Sequence, residues 1–323
     1  MRWNYVLLAV CIPFVAGYGA AWFVYGSSAP HEGGTAIREV SSAYPHIKRL
    51  LACDVSDNKD FAEYAPLKRS INEIIASASA EGSVKEVSVY YRDLDSGRWM
   101  GITQDELYAP ASLYKITLLI AYLKKAQIHP ELLDTSYVFA SSREADTPDY
   151  PPMTVGKSYT VRALLERLIV NSDNDAKDML HDHIDQNLVN DVFSDLGLEA
   201  PPLDDKADSM SAKSYSLFFR ILYNGTYLSR SQSEFALTLL SKVTFKDGLA
   251  GGLPQGVEVA HKFGHRVFDP PQHGVAAELH DCGIVYASSH PYFLCVMTKG
   301  TNYNDLAAII QNISKTVYAA KSE

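Results

Sequence analysis

The chain has 323 residues, 47% hydrophobic and 21% charged, a globular balance that argues against a mostly disordered, collagen-like or polytopic membrane protein. Its 29 basic and 38 acidic residues give a net charge of −9. With no Lys/Arg run to meet a phosphate backbone, nucleic acid is not an expected partner.

Residues 5–25, YVLLAVCIPFVAGYGAAWFVY, carry no charge and match the length of roughly 20 apolar residues that spans a bilayer as a helix. Arg2 precedes this stretch and Glu32 is the first charge after it, so the positive-inside rule leaves the N-terminus in the cytoplasm and the body outside. The length of the run and the bulky Trp22 and Phe23 near its end favour a retained anchor over a cleaved signal peptide, whose apolar core is shorter. Cys11 follows Leu8-Ala9-Val10, a poor lipoprotein cleavage site, and reads as a lipid-facing side chain. The expected organisation is a membrane anchor over 1–26, a Ser-, Ala- and Gly-rich linker over 27–46, and one extracytoplasmic domain over 47–323.

Within that domain, residues 61–80 carry a helical apolar spacing. The alternating stretch VKEVSVYYRDLDSGRWMGIT then predicts two strands around the turn Leu94-Asp95-Ser96-Gly97. Helices are predicted over 112–125, 161–170, 175–183, 187–196, 211–223 and 231–240, then strands over 257–262, 274–287 and 292–297, and a closing helix over 305–318. Strands at both ends with helices between them imply a mixed α/β (α+β) fold. One five-stranded antiparallel sheet is shared by two distant segments, backed by terminal helices and capped by a helical lobe. A ligand cleft belongs at the seam of sheet and lobe.

Three short elements carry chemistry. Ala111-Ser112-Leu113-Tyr114-Lys115 sets a serine and a lysine three apart at a helix start, on one face, where the amine can activate the hydroxyl. Ser172-Asp173-Asn174 lies between two helices, and His261-Lys262-Phe263-Gly264 ends a predicted strand. Each element alone is weak: Ser56-Asp57-Asn58-Lys59 matches two of the patterns in a polar stretch where such residues are ordinary caps. Order and setting distinguish the other set, in which Ser172 follows Ser112 by 60 residues and Lys262 follows Ser172 by 90.

With these elements in this order the chain resembles the serine β-lactamase and penicillin-binding superfamily, and within it the class A β-lactamases, with their Ser-x-x-Lys, Ser-Asp-Asn and Lys-Thr-Gly motifs. The Asp-x-x-Ser-Gly turn, Gly-Leu-Pro before the third motif, and Thr298-Lys299-Gly300 near the end extend the likeness over nearly the whole domain. The resemblance implies that Ser112 attacks a β-lactam or acyl-D-Ala-D-Ala carbonyl and forms an acyl-enzyme, with Lys115 relaying its proton. It implies that Ser172 passes a proton to the departing nitrogen, that Asn174 holds the substrate amide, and that Lys262 attracts its carboxylate. It further implies that Gly264 lets substrate lie along the strand, that Ser112 and His265 lend backbone N–H groups to an oxyanion hole, and that Asp173 is structural. No cofactor and no metal is expected; His181 and His183, two apart on a helix, point to different faces.

Phe263 stands where the family carries Thr or Ser, so a carboxylate-binding hydroxyl is missing and a ring faces or flanks the cleft. Arg266 and His280 are the candidate replacements, against solvated or structural readings of each. No Glu-x-x-Leu-Asn occurs between the second and third motifs. Glu199, Asp204 and their neighbours Asp205 and Asp208 are the candidate deacylation bases, against a solvated-loop reading. The implied function is a β-lactamase-like serine hydrolase. The rivals are a DD-carboxypeptidase or penicillin-binding protein with slow deacylation, and a non-catalytic sensor of peptidoglycan or β-lactams. Cys282 and Cys295 would face each other across a reversal at residues 288–289, and read equally as a disulfide or as two small core residues.

Overall fold

Alternation along one strand sets the architecture. Tyr292–Gly300 is buried throughout, and its successive side chains divide between two cores, Phe293, Cys295 and Met297 entering one and Leu294 and Val296 the other. A strand buried on both faces belongs at the centre of a sheet with a layer on each side. The computed structural model describes residues 37–38, 43–48, 50–52, 61–143, 150–201, 207–287 and 290–322. Its main sheet comprises β1 (Val84–Asp93), β2 (Trp99–Ile102), β3 (Glu258–Gln272), β4 (Val275–Tyr286) and β5 (Tyr292–Gly300), ordered β2-β1-β5-β4-β3 and antiparallel at every pairing. This is the five-stranded sheet that the two sequence-distant groups of strands predict.

Two helices from opposite ends of the chain cover one face. α1 (Ala65–Ala80) contributes Leu67 and Ile71, and α8 (Tyr303–Ser322) contributes Leu306, Ile310, Ile313 and Val317, against Val89, Tyr91, Leu279 and Leu294 of the sheet. On the other face sits the lobe: α2 (Lys115–Ala126), α3 (Val161–Val170), α4 (Asn174–Asp182), α5 (Gln186–Asp195), α6 (Ala212–Asn224) and α7 (Arg230–Ser241). Side-chain oxygens of Thr160, Asp173, Asp185, Ser211 and Ser229 cap α3 to α7 at their N-termini, which is why these helices start where the sequence places them. α2 is buried from Lys115 to Leu123, the pattern of a helix through the middle of a lobe rather than on its surface.

Three differences from the sequence reading bear on the site. β3 does not stop at Lys262 but runs on to Gln272 as the sheet's edge strand, a position that tolerates the prolines near its end. The third motif therefore lies within a strand. Residues 43–46, assigned to the linker by composition, lie on the domain: the His46 ring bridges Glu234 and Glu258, and Ile47 beside it is 4% exposed. Leu107–Tyr108 pairs with Met210–Ser211, a contact of two residues too short to leave a periodic signal. No helix among the described residues is long and apolar enough to cross a membrane; the expected anchor over 1–26 and the decoy Ser56–Lys59 lie outside the described residues.

Candidate active site

The three motifs converge where the start of α2, the loop between α3 and α4, and β3 meet. Ser112 lies half-buried in the 3-10 turn Ala111–Tyr114 that leads into α2. Ala111 takes a positive φ of 47°, and Ser172 one of 55°. Non-glycine residues in this region cost about 1–3 kcal/mol each and persist where surrounding contacts fix them, commonly at functional sites. The turn is anchored by Leu113 N–H donating to Pro110 O (2.9 Å) and by Tyr215 Oη donating to Leu113 O (3.0 Å).

Lys115, one turn beyond Ser112, is buried, and its ammonium is held from the α3–α4 side. Nζ donates to Ser172 O, to Ser172 Oγ at 3.2 Å and to Asn174 Oδ1 at 2.6 Å. Ser172 is thus shared, because Lys262 Nζ donates to the same hydroxyl at 2.9 Å and to Phe263 O at 3.0 Å. Asp173 faces away from this chain: it caps α4 through Ala176 N–H (3.1 Å) and accepts from Arg167 Nε at 2.6 Å, the structural role expected of it.

Two lysines so close and so deeply buried disturb each other. Burial, followed by the charge of Lys115, pushes the Lys262 ammonium well below its ordinary proton affinity, against a smaller upward pull from Asp281. His265 is also lowered, by desolvation and then by Lys262 and Lys115, and carries a neutral ring at neutral pH. Gly264 lies against the serine turn; a Cβ there would sit 3.0 Å from Pro110 O and 3.1 Å from the backbone nitrogens of Ser112 and Leu113. The missing side chain brings β3 against the nucleophile's own backbone.

The remaining sequence candidates separate. The Phe263 ring stacks on Phe245, centroids 3.8 Å apart at 8°, with Lys262 Nζ 4.3 Å from its centroid; it flanks the lysine. His280 is fully buried, accepts from Thr298 N–H at 3.2 Å and meets the Tyr108 ring edge-on at 5.3 Å. Arg266 lies 3.9 Å from Glu278. Glu199 is exposed beyond α5, Asp208 accepts from Lys299 Nζ at 2.6 Å, and Asp204 and Asp205 lie outside the described residues. Cys282 pairs with Cys295 across β4 and β5, the sulfurs 2.07 Å apart. His183 stacks on Tyr137, and among the described residues no group of three or more His, Cys, Asp or Glu side chains could hold a metal ion.

Sequence reasoning missed Asp281 and Phe245. Asp281 accepts from the His261 ring within 3.0 Å, both buried; its signal was a carboxylate in the buried run of β4, which it shares with Glu278 and His280. Phe245 lies outside the regular elements and left none.

Residues 66–320 match the beta-lactamase enzyme family. Beta-lactamase L2 of Stenotrophomonas maltophilia is 34% identical over 123 residues, 37% of this chain and 40% of that protein, so the match spans well under half of the curated relative. A beta-lactamase of Chitinophaga pinensis superimposes with a TM-score of 0.70 at 22% identity, covering 79% of this chain and 99% of that one. PBP-A superimposes with a TM-score of 0.66 at 23% identity over 80% of this chain and 96% of its own. A PBP-A variant solved as an acyl-enzyme complex with penicillin G gives 0.65 at 22% identity, over 79% and 97%. At such identities the superpositions speak for the fold.

Proposed function

We propose that this chain, which belongs to the beta-lactamase enzyme family, is a serine hydrolase that β-lactams acylate at Ser112 and that returns the acyl group to water. The observation that carries this reading is the hydrogen-bonded run Lys115–Ser172–Lys262 beside the serine turn. Two ammonium ions in one buried pocket repel, so an amine of the pair sheds its proton readily and can serve as a base. With Lys115 in its neutral form, Ser112 Oγ bonds to the carbonyl carbon, its proton passes to Lys115 Nζ, and the ring C–N bond breaks. Ser172 Oγ–H protonates the departing nitrogen and is reprotonated through the lysines. The Ser112 and His265 backbone N–H groups take the oxyanion charge.

A second reading, a penicillin-binding peptidase that deacylates slowly, is favoured by the carboxylates: Glu199 is exposed and Asp208 is occupied by Lys299, so among the described candidates neither is set to activate the water of the second step. An extracytoplasmic location is supported by the Cys282–Cys295 pair, since disulfides persist in oxidising compartments. The test is intact mass over time with a fluorescent penicillin, for the parent and Ser112→Ala. Mass gained and then lost, only with Ser112 present, supports turnover. Mass gained and kept supports the second reading, and no gain in a folded chain from either a penicillin or its methyl ester overturns both.

A further inference from the structure

The ammonium of Lys262 has three N–H donors, and the structure accounts for each. One goes to Ser172 Oγ, one to Phe263 O, and the remaining direction is covered by the Phe263 ring, whose centroid lies 4.3 Å from Nζ. Phe245 lies parallel against that ring, fixing it in place. His265, two residues on, lies nearly parallel to Phe263 at 6.3 Å and 8°, and Tyr303 meets it edge-on at 6.0 Å. Along this stretch of β3 the surface beside the Lys262 ammonium is therefore aromatic.

An aromatic face is the negative side of a quadrupole, attractive to an ammonium and repulsive to a carboxylate. The donors of Lys115 reach Ser172 and Asn174, and Arg266 lies beside Glu278 and the Phe268 ring. A substrate carboxylate next to the scissile bond would have to displace an existing contact of Lys262 and lie against the ring. A neutral, apolar leaving group meets neither cost.

We propose that the Phe245–Phe263 pair makes this site select acyl donors whose leaving side is neutral and apolar, over donors that carry a free carboxylate beside the scissile bond. This rests on Ser112 being the nucleophile. The chemistry is unchanged: the Ser112 Oγ–acyl bond forms, the bond from acyl carbon to leaving nitrogen or oxygen breaks, and the serine's proton ends on the leaving atom. What changes is which leaving group fits beside Lys262.

The test compares benzylpenicillin with its methyl ester, which differ only in that carboxylate, by intact mass on the full chain in detergent. The ester is expected to acylate the parent at least as fast as the acid, and Phe263→Thr to lower the ester-to-acid ratio at least tenfold. Phe245→Leu keeps an apolar side chain but removes the stack; it is expected to lower the ratio severalfold and serves if Phe263→Thr does not fold. A parent acylated faster by the acid overturns the proposal, as does a ratio unmoved in the folded variants. A folded parent that gains no mass from either compound overturns the Ser112 reading itself, and the proposal with it.

Discussion

His261 Nδ1 lies 2.9 and 3.0 Å from the two carboxylate oxygens of Asp281, and both residues are buried. Neighbouring side chains of a strand point to opposite faces, so this pair stands behind the sheet from the Lys262 ammonium. Asp281 also accepts from Leu249 N–H at 2.8 Å and raises the proton affinity of Lys262 against burial and Lys115. Asp281→Asn removes that charge while keeping the shape. Lys262 then loses its proton at lower pH, and the limb of the acylation pH profile that reports it moves to lower pH. Stability falls by about 1–3 kcal/mol, the cost of weakening a buried charged hydrogen-bond set. Acylation rates against pH and denaturant melts read the two effects separately.

Gly264→Ala tests the approach of β3 to the serine turn. The added carbon meets Pro110 O at 3.0 Å and the Ser112 and Leu113 nitrogens at 3.1 Å, so strand or turn must yield by a few tenths of an ångström. Because these atoms are backbone of the nucleophile's own turn, acylation is expected to fall about tenfold or more, since small misplacements of reacting groups carry large rate penalties. The fold, anchored elsewhere, should lose only a few degrees in Tm. An acylation rate equal to the parent's would show that the close packing of β3 does not position Ser112.

The contrast between these two residues shows what the sequence carried. Gly264 ends a motif whose order and spacing were legible, and the structure brings that motif's Lys262 to Ser172 and Lys115, with Asp173 capping α4 directly after Ser172. Asp281 and Phe245 act through contacts with residues 20 and 18 positions away, which depend on strand register and a loop path that no local pattern encodes. The length of β3 was hidden for a related reason: past Val267 its pairing with β4 passes through a register shift to Gln272 opposite Val275, which no local pattern encodes.

Asp173→Ala is expected to weaken the site from outside it. The substitution removes the α4 cap and leaves Arg167 without its 2.6 Å partner, a loss of about 1–3 kcal/mol from cap and charged hydrogen bond together. Ser172, held at a positive φ immediately before it, then loses part of the frame that fixes it, and acylation slows. Asp182→Ala serves as the comparison. Its bond to Arg143 Nη2 is also 2.6 Å, but both side chains are well exposed, and such pairs are worth about 0–1 kcal/mol. Chemical denaturation of both variants should separate them clearly, and equal losses would contradict the assigned role of Asp173.

Two histidines give stability opposite pH dependences. Burial lowers His280 from 6.5 to about 3, so the unfolded chain takes up a proton that the folded chain refuses. Its contribution is whole above 6.5 and is lost as pH falls from there towards 3. His46 is raised: desolvation pulls it down, but its bonds to Glu258 and Glu234 outweigh that. Its contribution is whole below 6.5 and is lost as pH rises through the folded value. Glu278, raised from 4.5 to about 6 by burial, partly offsets His280, since its burial becomes costlier as pH rises across that interval. A Tm series over pH should therefore fall on both sides. His280→Gln, whose amide oxygen can still accept from Thr298 N–H, should flatten the acid side alone. His46→Gln should flatten the alkaline side alone, because it cannot gain the charge that bridges α7 to the start of β3. A His46→Gln profile that keeps the parent's alkaline slope would show that residues 43–48 are held by Ile47 and the backbone, not by the histidine's charge.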